Sequence, residues 1–406
     1  MSDTSHQSRN TIDQIKVEGS KVLVRVDFNV PMRDGRITDD TRIRAAIPTI
    51  RSILDRGGSV VLMSHLGRPK GDGHEPSYSL EPVARRLGEL LNTEVVFPSH
   101  DCTDQATRRA VADLAPGGVL MLENLRFHPG EKQGEEAFAS SLAKDVDAYC
   151  NDAFGTAHRA DASMVAVPRF MKDQPRVAGR LLDRELQYLG ATIAEPMPPF
   201  VAILGGAKVS DKLKTIRRLA GVVDTLIVGG AMAFTLLKAQ GHDTGRSLVE
   251  EPMIEEARRM IEDLEASSTR LMLPSDFVCG ESPEAGTPTM VSGIDIPGQM
   301  MGLDIGPETA RRFGDVVLEA RTVVWNGPMG LFEIPPFDAG TRAVAEAMVQ
   351  ATRNGATTIV GGGDTAAAIK GMGLGDAVSH VSTGGGASLA MLEGSPMPAL
   401  DVLDTA

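Results

Sequence analysis

The chain has 406 residues, of which 42% are hydrophobic and 4% aromatic, and its formal net charge at pH 7 is -13. This length predicts two or three domains, each with enough apolar residues for a core. The acidic charge and low aromatic content argue against nucleic acid as a partner, which needs basic surface and stacking side chains. The first ten residues are polar, and no uncharged apolar run reaches the roughly 18 residues that span a bilayer. We therefore expect no signal peptide, no membrane segment and a cytoplasmic protein.

The three cysteines are Cys102, Cys150 and Cys279. They are odd in number, widely spaced and lack any CxxC pattern, which argues against both a disulfide framework and a zinc site. We expect three buried, reduced thiols.

Strand-like and helix-like segments alternate along the first half, which is typical of a mostly parallel α/β sheet. The expected strands are 21–27, 59–64, 119–122 and 146–150. Apolar residues at helical spacing predict a helix over residues 181–194, which the prolines of the segment 196–199 end. A domain boundary is expected there, with a second α/β domain from Phe200 to about residue 385.

The candidate ligand-binding side chains of the first half follow the expected strands. The carboxyl ends of parallel strands meet at one edge of a sheet, where ligands bind. That edge is expected to hold Asp27, Phe28, Asn29, Arg42, His65, Leu66, Gly67, Arg68, Arg126 and Arg159. Any one arginine is better explained as a solvated surface charge or a helix partner. Four together favour a small, multiply charged anion with carboxylate and phosphate groups, because arginine binds both bidentately.

Four apolar runs in the second half end on paired or tripled glycines and are followed by a helix-like pattern. The glycines are those at 205–206, 229–230, 361–363 and 384–386. Glycine lets a ligand approach the backbone, and a helix that begins there directs free N–H groups and a partial positive charge at it. One pair is equally explained by a cap or turn. Four predict a phosphate site, although the Walker and dinucleotide fingerprints are absent.

Polar residues near these glycines are candidates for nucleotide and metal. Lys208 and Lys212 are expected on one face of a first helical turn, where cations are unfavourable unless an anion is bound. Asp364 is either an N-cap or a magnesium ligand, since Mg²⁺ usually takes one or two carboxylates plus substrate phosphates. Asn326 and Glu333 are candidates for phosphate and ribose hydroxyl groups.

Eight stretches of the chain, in order along its whole length, resemble the phosphoglycerate kinase family. They are 25–31, 65–69, 123–127, 151–159, 205–212, 325–330, 361–365 and 384–389. The resemblance implies two Rossmann-like domains with parallel sheets, joined by a hinge helix. It implies a monomeric glycolytic enzyme that transfers a phosphoryl group reversibly from 1,3-bisphosphoglycerate to ADP, giving 3-phosphoglycerate and ATP with Mg²⁺.

The resemblance also implies domain limits and site residues. The phosphoglycerate domain is expected at 1–180, the interdomain helix and linker at 181–199, and the nucleotide domain at 200–389, with the tail 390–406 packing back on the first domain. The phosphoglycerate is expected on the sheet edge described above, with Asp364 as the metal ligand. The residues expected to bind nucleotide are Gly206, Ala207, Lys208, Lys212, Gly302, Asn326, Glu333, Gly362, Gly363, Asp364 and Thr365.

Three positions depart from the family pattern: Asp161 replaces a common histidine, Ala231 a common glycine and Ala390 a common glutamate. We expect Asp161 to weaken the local positive field, Ala231 to crowd the nucleotide pocket slightly, and Ala390 to remove an interaction near the hinge.

Phosphoryl transfer requires mainly positioning and charge neutralisation. We expect Arg42 and Lys208 to flank the transferred group, with N–H groups near Gly363 and Gly385, and no general base, because both nucleophiles are already ionised. Two alternatives are an NAD-dependent dehydrogenase, whose fingerprint is absent, and a two-lobed anion-binding protein, which leaves the lysines and Asp364 unexplained.

Overall fold

The computed structural model of the chain describes residues 8–284 and 288–406. These residues divide into two compact units, Met1–Gly190 together with Pro396–Ala406, and Ala191–Ser395. The first boundary falls inside the helical segment expected at 181–194, and the second lies six residues beyond the expected end of the nucleotide domain. We call the two units the first unit and the second unit.

The first unit contains one parallel sheet and a small hairpin. Its strands are β1 Lys21–Val26, β2 Met32–Arg33, β3 Arg36–Ile37, β4 Ser59–Met63, β5 Val95–Val96, β6 Val119–Met121, β7 Ala148–Asp152 and β8 Arg176–Ala178. Its helices are α1 Thr41–Leu54, α2 Glu81–Leu91, α3 Gln105–Ala112, α4 Pro129–Gln133, α5 Glu136–Leu142, α6 Val167–Phe170 and α7 Arg180–Glu185.

The sheet of the first unit has the order β5-β6-β4-β1-β7-β8, and its described pairings are parallel. Strand β1 is central and almost wholly buried, as expected for a parallel strand covered on both faces. The chain leaves β1 toward β4 on one side, whereas it leaves β7 toward β8 on the other. The connections therefore diverge between β1 and β7. This point is the switch point of the sheet, where open α/β sheets bind ligands.

The second unit has a parallel sheet and a smaller antiparallel one. Its strands are β9 Phe200–Leu204, β10 Thr225–Val228, β11 Arg270–Met272, β12 Phe277–Gly280, β13 Thr289–Val291, β14 Met301–Ile305, β15 Thr322–Asn326, β16 Thr357–Gly361 and β17 His380–Val381. Its helices are α8 Ala191–Ala194, α9 Leu213–Leu219, α10 Met232–Ala239, α11 Ile254–Glu265, α12 Pro307–Glu319, α13 Ala339–Arg353, α14 Gly363–Gly371 and α15 Gly385–Leu392.

The large sheet of the second unit has the order β11-β10-β9-β15-β16-β17, again with parallel pairings. Its switch point lies between β9 and β15, where Gly205 and Gly327 follow the strands. The turns touch there, since a Cβ on Gly205 would lie 2.4 Å from the carbonyl oxygen of Gly327. The antiparallel sheet β13-β12-β14 was not expected from the sequence.

The tail returns to the first unit through α16 Pro398–Asp401 and the residues after it. The Asp404 carboxylate accepts hydrogen bonds from the backbone N–H and Nε of Arg176, at 2.8 and 3.0 Å, next to β8. The backbone N–H of Ala406 also donates to the carbonyl of Ser8 at 3.0 Å. These bonds attach the chain end to the edge of the first sheet.

Several local expectations are confirmed and others need correction. The four strands expected in the first half are present, with ends shifted by one or two residues, and the three cysteines are free and buried. The helix expected at 181–194 is present as α7, a π-helical stretch Leu186–Gly190 and α8. The prediction of a helix directly after Gly205–Gly206 is wrong, because α9 begins only at Leu213. None of the helices in the described part of the chain is both long and apolar enough to span a membrane.

Candidate active site

The switch point of the first unit carries Asp27 and Asn29 after β1 and Arg42 in the first turn of α1. The Arg42 guanidinium lies 3.3 Å from Asp27 Oδ2 and donates to the Asn29 carbonyl at 2.8 Å. The Asn29 amide oxygen accepts a hydrogen bond from the backbone N–H of Gly67 at 2.8 Å, which ties this turn to the loop after β4. Because the Arg42 side chain is still 36% exposed, the guanidinium is oriented by the protein and remains accessible.

His65 lies directly behind this edge and is only 2% exposed. Burial, followed by the charges of Arg25 and the three arginines Arg126, Arg159 and Arg42, holds the pKa of His65 well below its ordinary value. The ring is therefore neutral at neutral pH, and its Nδ1 accepts from the Arg25 guanidinium at 3.2 Å. Arg25 was not among the residues expected at this site. The sequence signal that could have identified Arg25 is a charged residue within the apolar run of a strand.

Arg126 and its neighbour Asp161 form the buried side of the same edge. Arg126 is 7% exposed, and its guanidinium donates to the Gly67 carbonyl at 2.8 Å. Its Nε and the Asp161 Oδ2 are buried without hydrogen-bond partners among the described residues. Asp161 Oδ2 lies 4.0 Å from the guanidinium of Arg126, so the departure from the family pattern places a carboxylate beside an anion-binding candidate.

The remaining candidate binding residues of the first unit are of two kinds, buried apolar residues and arginines without a partner among the described residues. Phe28 and Leu66 are buried, and the backbone N–H of Phe28 donates to Ser64 Oγ at 2.9 Å. The side chains of Arg68 and Arg159 have no hydrogen-bond or ion-pair partner within residues 8–284 and 288–406. Their charges are therefore available to a ligand, and Arg159 is close enough to lower the pKa of His65.

A cavity of about 340 Å³ in the second unit brings together five of the expected nucleotide residues, Gly206, Ala207, Gly302, Glu333 and Asp364. Apolar side chains form much of its wall: Phe234, Phe277, Met301, Leu331 and Phe332. A cleft with apolar walls and a few polar groups is the usual form of a small-molecule site. The strands and turns that build it come from both sheets of the unit.

Lys212 and Asn326 form a second group of expected nucleotide residues. Lys212 is the N-cap of α9, and its Nζ donates to the side-chain oxygen of Asn326, which ends β15. Burial lowers the pKa of Lys212 to about 8, partly offset by nearby carboxylates. Lys208 does not share a helical face with Lys212, because it lies in the loop before α9, exposed to solvent.

The helix α14 begins at Gly363, after Gly362 in a positive-φ conformation at 88°. Nothing in the described structure lies within 4 Å of a Cβ built on Gly363, so its backbone is open to a ligand. A Cβ on Gly385, at the start of α15, would lie 4.0 Å from the Gly363 nitrogen, so two helix starts adjoin. The Thr365 hydroxyl is buried and accepts from the backbone N–H of Gly327 at 2.7 Å, which indicates a role in holding the turn.

Asp364 is the candidate ligand for the magnesium ion that the resemblance implies. Its carboxylate is exposed, lines the 340 Å³ cavity and makes no hydrogen bond or ion pair with another described residue. Magnesium takes oxygen ligands and usually completes its shell with substrate phosphates and water. One free carboxylate beside open N–H groups therefore fits this ion.

Asp304 also lines the nucleotide cavity, although the sequence analysis gave it no role. It is 3% exposed, and burial raises its pKa to about 7. Its Oδ2 accepts from the backbone N–H of Gly340 at 2.6 Å. Asp304 thus joins β14 to the start of α13 behind the cavity wall.

Two parallel α/β sheets, one with an arginine-rich edge and one with a glycine-lined cavity, are features of an α/β protein that binds phosphorylated small molecules. The family model for phosphoglycerate kinase matches residues 12–395. A phosphoglycerate kinase from Rhodopirellula baltica is 54% identical over 403 residues, which cover 98% of this chain and 100% of that protein.

Two solved structures agree with this match. The phosphoglycerate kinase from Coxiella burnetii has a TM-score of 0.86 and 38% identity, over 97% of this chain and 98% of that one. The phosphoglycerate kinase from Pyrococcus horikoshii has a TM-score of 0.85 and 31% identity, over 97% of this chain and 98% of that one. The chain belongs to the phosphoglycerate kinase family, whose members are phosphotransferases that act on 3-phosphoglycerate and use ATP or ADP with Mg²⁺.

Proposed function

We propose that the first unit binds phosphoglycerate, that the second unit binds the nucleotide, and that the chain transfers a phosphoryl group between 1,3-bisphosphoglycerate and ADP. The observation that carries the assignment is the 340 Å³ cavity, which is lined by Gly206, Ala207, Gly302, Glu333 and Asp364. The arginines at the other switch point supply the positive charge that a phosphorylated carboxylic acid needs.

Arg42 and Lys208 are the residues that we assign to the transferred group. Arg42 is oriented by Asp27 and Asn29 but accessible, and Lys208 is exposed on the loop after β9. The N–H groups near Gly363 and Gly385 would bind phosphate oxygens as charge develops on them. No general base is needed, because the carboxylate of 3-phosphoglycerate and the β-phosphate of ADP are ionised at neutral pH.

Asp364 would hold the magnesium ion, which when bound neutralises phosphate charge. Lys212 keeps its proton through most of the neutral range, since burial lowers its pKa only to about 8. Its ammonium group, aligned by Asn326, would add positive charge to the same phosphates. Phe234 and Phe277 would pack against the nucleotide base.

Transfer also needs water to be excluded, since water would hydrolyse an acyl phosphate. We assign this to closure of the two units about the helical segment 181–194. Small-angle scattering would then give a smaller radius of gyration with both ligands than with either alone. Equal radii in all states would remove closure from the mechanism. We also assign the protein to the cytoplasm, as a monomer.

A coupled assay of ATP consumption with Mg²⁺ and 3-phosphoglycerate tests the function directly. We expect turnover that requires all three components. Binding of 3-phosphoglycerate without turnover would favour an anion-binding protein instead. Binding of a nicotinamide cofactor in place of ATP would favour a dehydrogenase.

A further inference from the structure

A cluster of two imidazoles and one carboxylate lies in the first unit, outside the residues assigned to the substrates. Glu123 follows β6 and is 1% exposed, whereas His74 and His100 come from the loops before α2 and after β5. His74 Nε2 lies 3.6 Å and His100 Nδ1 3.9 Å from the same oxygen, Oε2 of Glu123. The three candidate ligand atoms all lie within 4.8 Å of one another.

These distances are close to those of a tetrahedral zinc site. With bonds of about 2.0–2.2 Å, tetrahedral geometry places ligand atoms roughly 3.3–3.5 Å apart. The separations of 3.6 and 3.9 Å from Glu123 Oε2 exceed this by a few tenths of an ångström. The two imidazole nitrogens lie within 4.8 Å of each other and would have to approach by up to about 1.4 Å. Both histidines are on loops and partly exposed, at 28% and 62%, so rotation of their side chains can supply this change.

Surrounding groups orient the three side chains. Glu123 Oε2 accepts from Ser79 Oγ at 2.7 Å, and Oε1 accepts from the backbone N–H of Leu80 at 2.8 Å. The ring of His74 lies 4.3 Å from that of His100 and packs edge-on against Phe127, with centroids 5.4 Å apart. Hydrogen bonds to the carboxylate and packing around the imidazoles are the outer-shell support that metal sites typically have.

We infer that His74, His100 and Glu123 bind a divalent transition metal ion of the zinc class. Two imidazole nitrogens and one carboxylate oxygen are a common zinc ligand set, with the fourth position left to water. Mg²⁺ prefers oxygen ligands in an octahedron, so this site would not compete for the ion held by Asp364. The cysteine spacing predicted no zinc site, and this cluster contains no cysteine.

A second cluster of candidate metal ligands lies in the first unit and has to be distinguished in the experiment. Asp101, Cys102 and His128 also lie within metal-binding distance of one another, and His128 Nε2 already lies 3.2 Å from Asp101 Oδ1. Any metal bound in this region must therefore be assigned to one cluster or the other. Variants of His100 and His128 separate the two.

The experiment uses the full chain without a polyhistidine tag, stripped of metal by a chelator. Zn²⁺ is titrated by calorimetry, and Co²⁺ is titrated as a spectroscopic probe of coordination geometry. The variants are His74→Ala and His100→Ala. The controls are His128→Ala and His242→Ala, the latter a half-buried histidine of the second unit that lies 3.2 Å from Asp295.

We expect one tight equivalent of Zn²⁺ and an intense, tetrahedral Co²⁺ spectrum in the unchanged chain and in both controls. Each of His74→Ala and His100→Ala should weaken Zn²⁺ by more than about 100-fold, because even outer-shell partners are typically worth 10–100-fold. Turnover with Mg²⁺, ATP and 3-phosphoglycerate verifies that these variants are folded. Equal Zn²⁺ affinity in His100→Ala and the unchanged chain would overturn the inference, as would loss of the site in His128→Ala alone.

Discussion

The two large sheets each have six parallel strands but differ in strand order, and they also differ in the groups that they present at the switch point. In the first unit, long cationic side chains lie near the strand ends: Arg42 in the first turn of α1, and Arg68 and Arg159 in loops. In the second unit, the turns after the strands present mainly backbone groups. Nothing among the described residues lies within 4 Å of a Cβ built on Gly206 or Gly363. The difference teaches that the switch point of a parallel sheet can recognise anions either by side-chain charge or by peptide N–H groups.

The physical reason lies in the expected ligands. A small acid with charges at both ends has no apolar part, so paired guanidinium groups are suited to it. A nucleotide has a flat apolar base and a chain of phosphates, which suit an apolar cavity beside helix starts. Changes that convert one mode of recognition into the other, or remove it, test this comparison.

The largest effect is expected when the assigned cation is removed from either unit. Arg42→Ala and Lys208→Ala should each lower kcat by about 10² to 10³, or roughly 3–4 kcal/mol, the usual cost of one preorganised donor. Steady-state kinetics with varied ATP and 3-phosphoglycerate measures this.

The matched controls are Arg44→Ala, on the same helix as Arg42, and Lys214→Ala, on α9. Both are exposed and should keep nearly normal turnover. Near-normal rates in Arg42→Ala or Lys208→Ala would remove that residue from the proposed role.

A second prediction separates structural from ligand-facing glycines. Gly205→Ala places a Cβ 2.2 Å from the carbonyl oxygen of Pro328, so we expect a loss of about 1–3 kcal/mol in the free energy of unfolding. Gly363→Ala meets no atom within 4 Å and should keep its stability. It should instead raise the KM for ATP by about tenfold, or roughly 1.4 kcal/mol.

Denaturant unfolding and ATP kinetics measure both variants. The comparison fails if Gly363→Ala binds ATP normally, because its open backbone would then not face the nucleotide. It also fails if Gly205→Ala unfolds at the same denaturant concentration as the unchanged chain.

A third prediction concerns Asp152, at the end of β7. Burial raises its pKa from 3.8 to about 6, although hydrogen bonds from Thr49 and from the N–H groups of Leu182 and Leu181 oppose the shift. The native state therefore holds this proton more tightly than the unfolded chain. Its contribution makes the protein less stable as pH rises from about 4 to about 6, and the loss persists above that range.

Asp152→Asn should remove this pH-dependent loss and raise the free energy of unfolding at pH 7 by up to about 3 kcal/mol, since each pKa unit is worth about 1.36 kcal/mol. Denaturant unfolding at pH 4.5 and pH 7 measures the difference. Asp173→Asn, an exposed control in the same unit, should leave the pH dependence unchanged. A variant that retains the full pH dependence would contradict the assignment to Asp152.

The smallest effect is expected from the family departure at Asp161. Asp161→Asn removes a negative charge 4.0 Å from Arg126 and should lower the KM for 3-phosphoglycerate by about two- to fivefold, or up to about 1 kcal/mol. The KM for ATP should not change. Asp34→Asn, an exposed partner of Arg33, is the control. An unchanged KM for 3-phosphoglycerate would mean that the Asp161 charge does not reach the ligand.

Many residues at the ligand-binding edges of the two large sheets could be predicted from the sequence, because strand ends and glycine turns are local patterns. The strands before Asp27 and His65, and β7, which contains Asn151, were identified within one or two residues, and the helix starts at Gly363 and Gly385 were expected from the glycines alone. Parallel strands then bring these ends together by geometry. Lys208 was misplaced, since the loop that delays α9 to Leu213 leaves no clear local signal.

By itself, the sequence determined where the four expected strands of the first unit and the glycine turns of the second lie along the chain, the charge on each sheet edge and the family, because each depends on residues close together in the chain. Only the tertiary structure decided which distant side chains meet. Arg25 and His65 pair across neighbouring strands, Asp304 reaches α13, and His74, His100 and Glu123 converge from three separate segments. Such contacts depend on strand order and loop path, which composition and spacing do not specify.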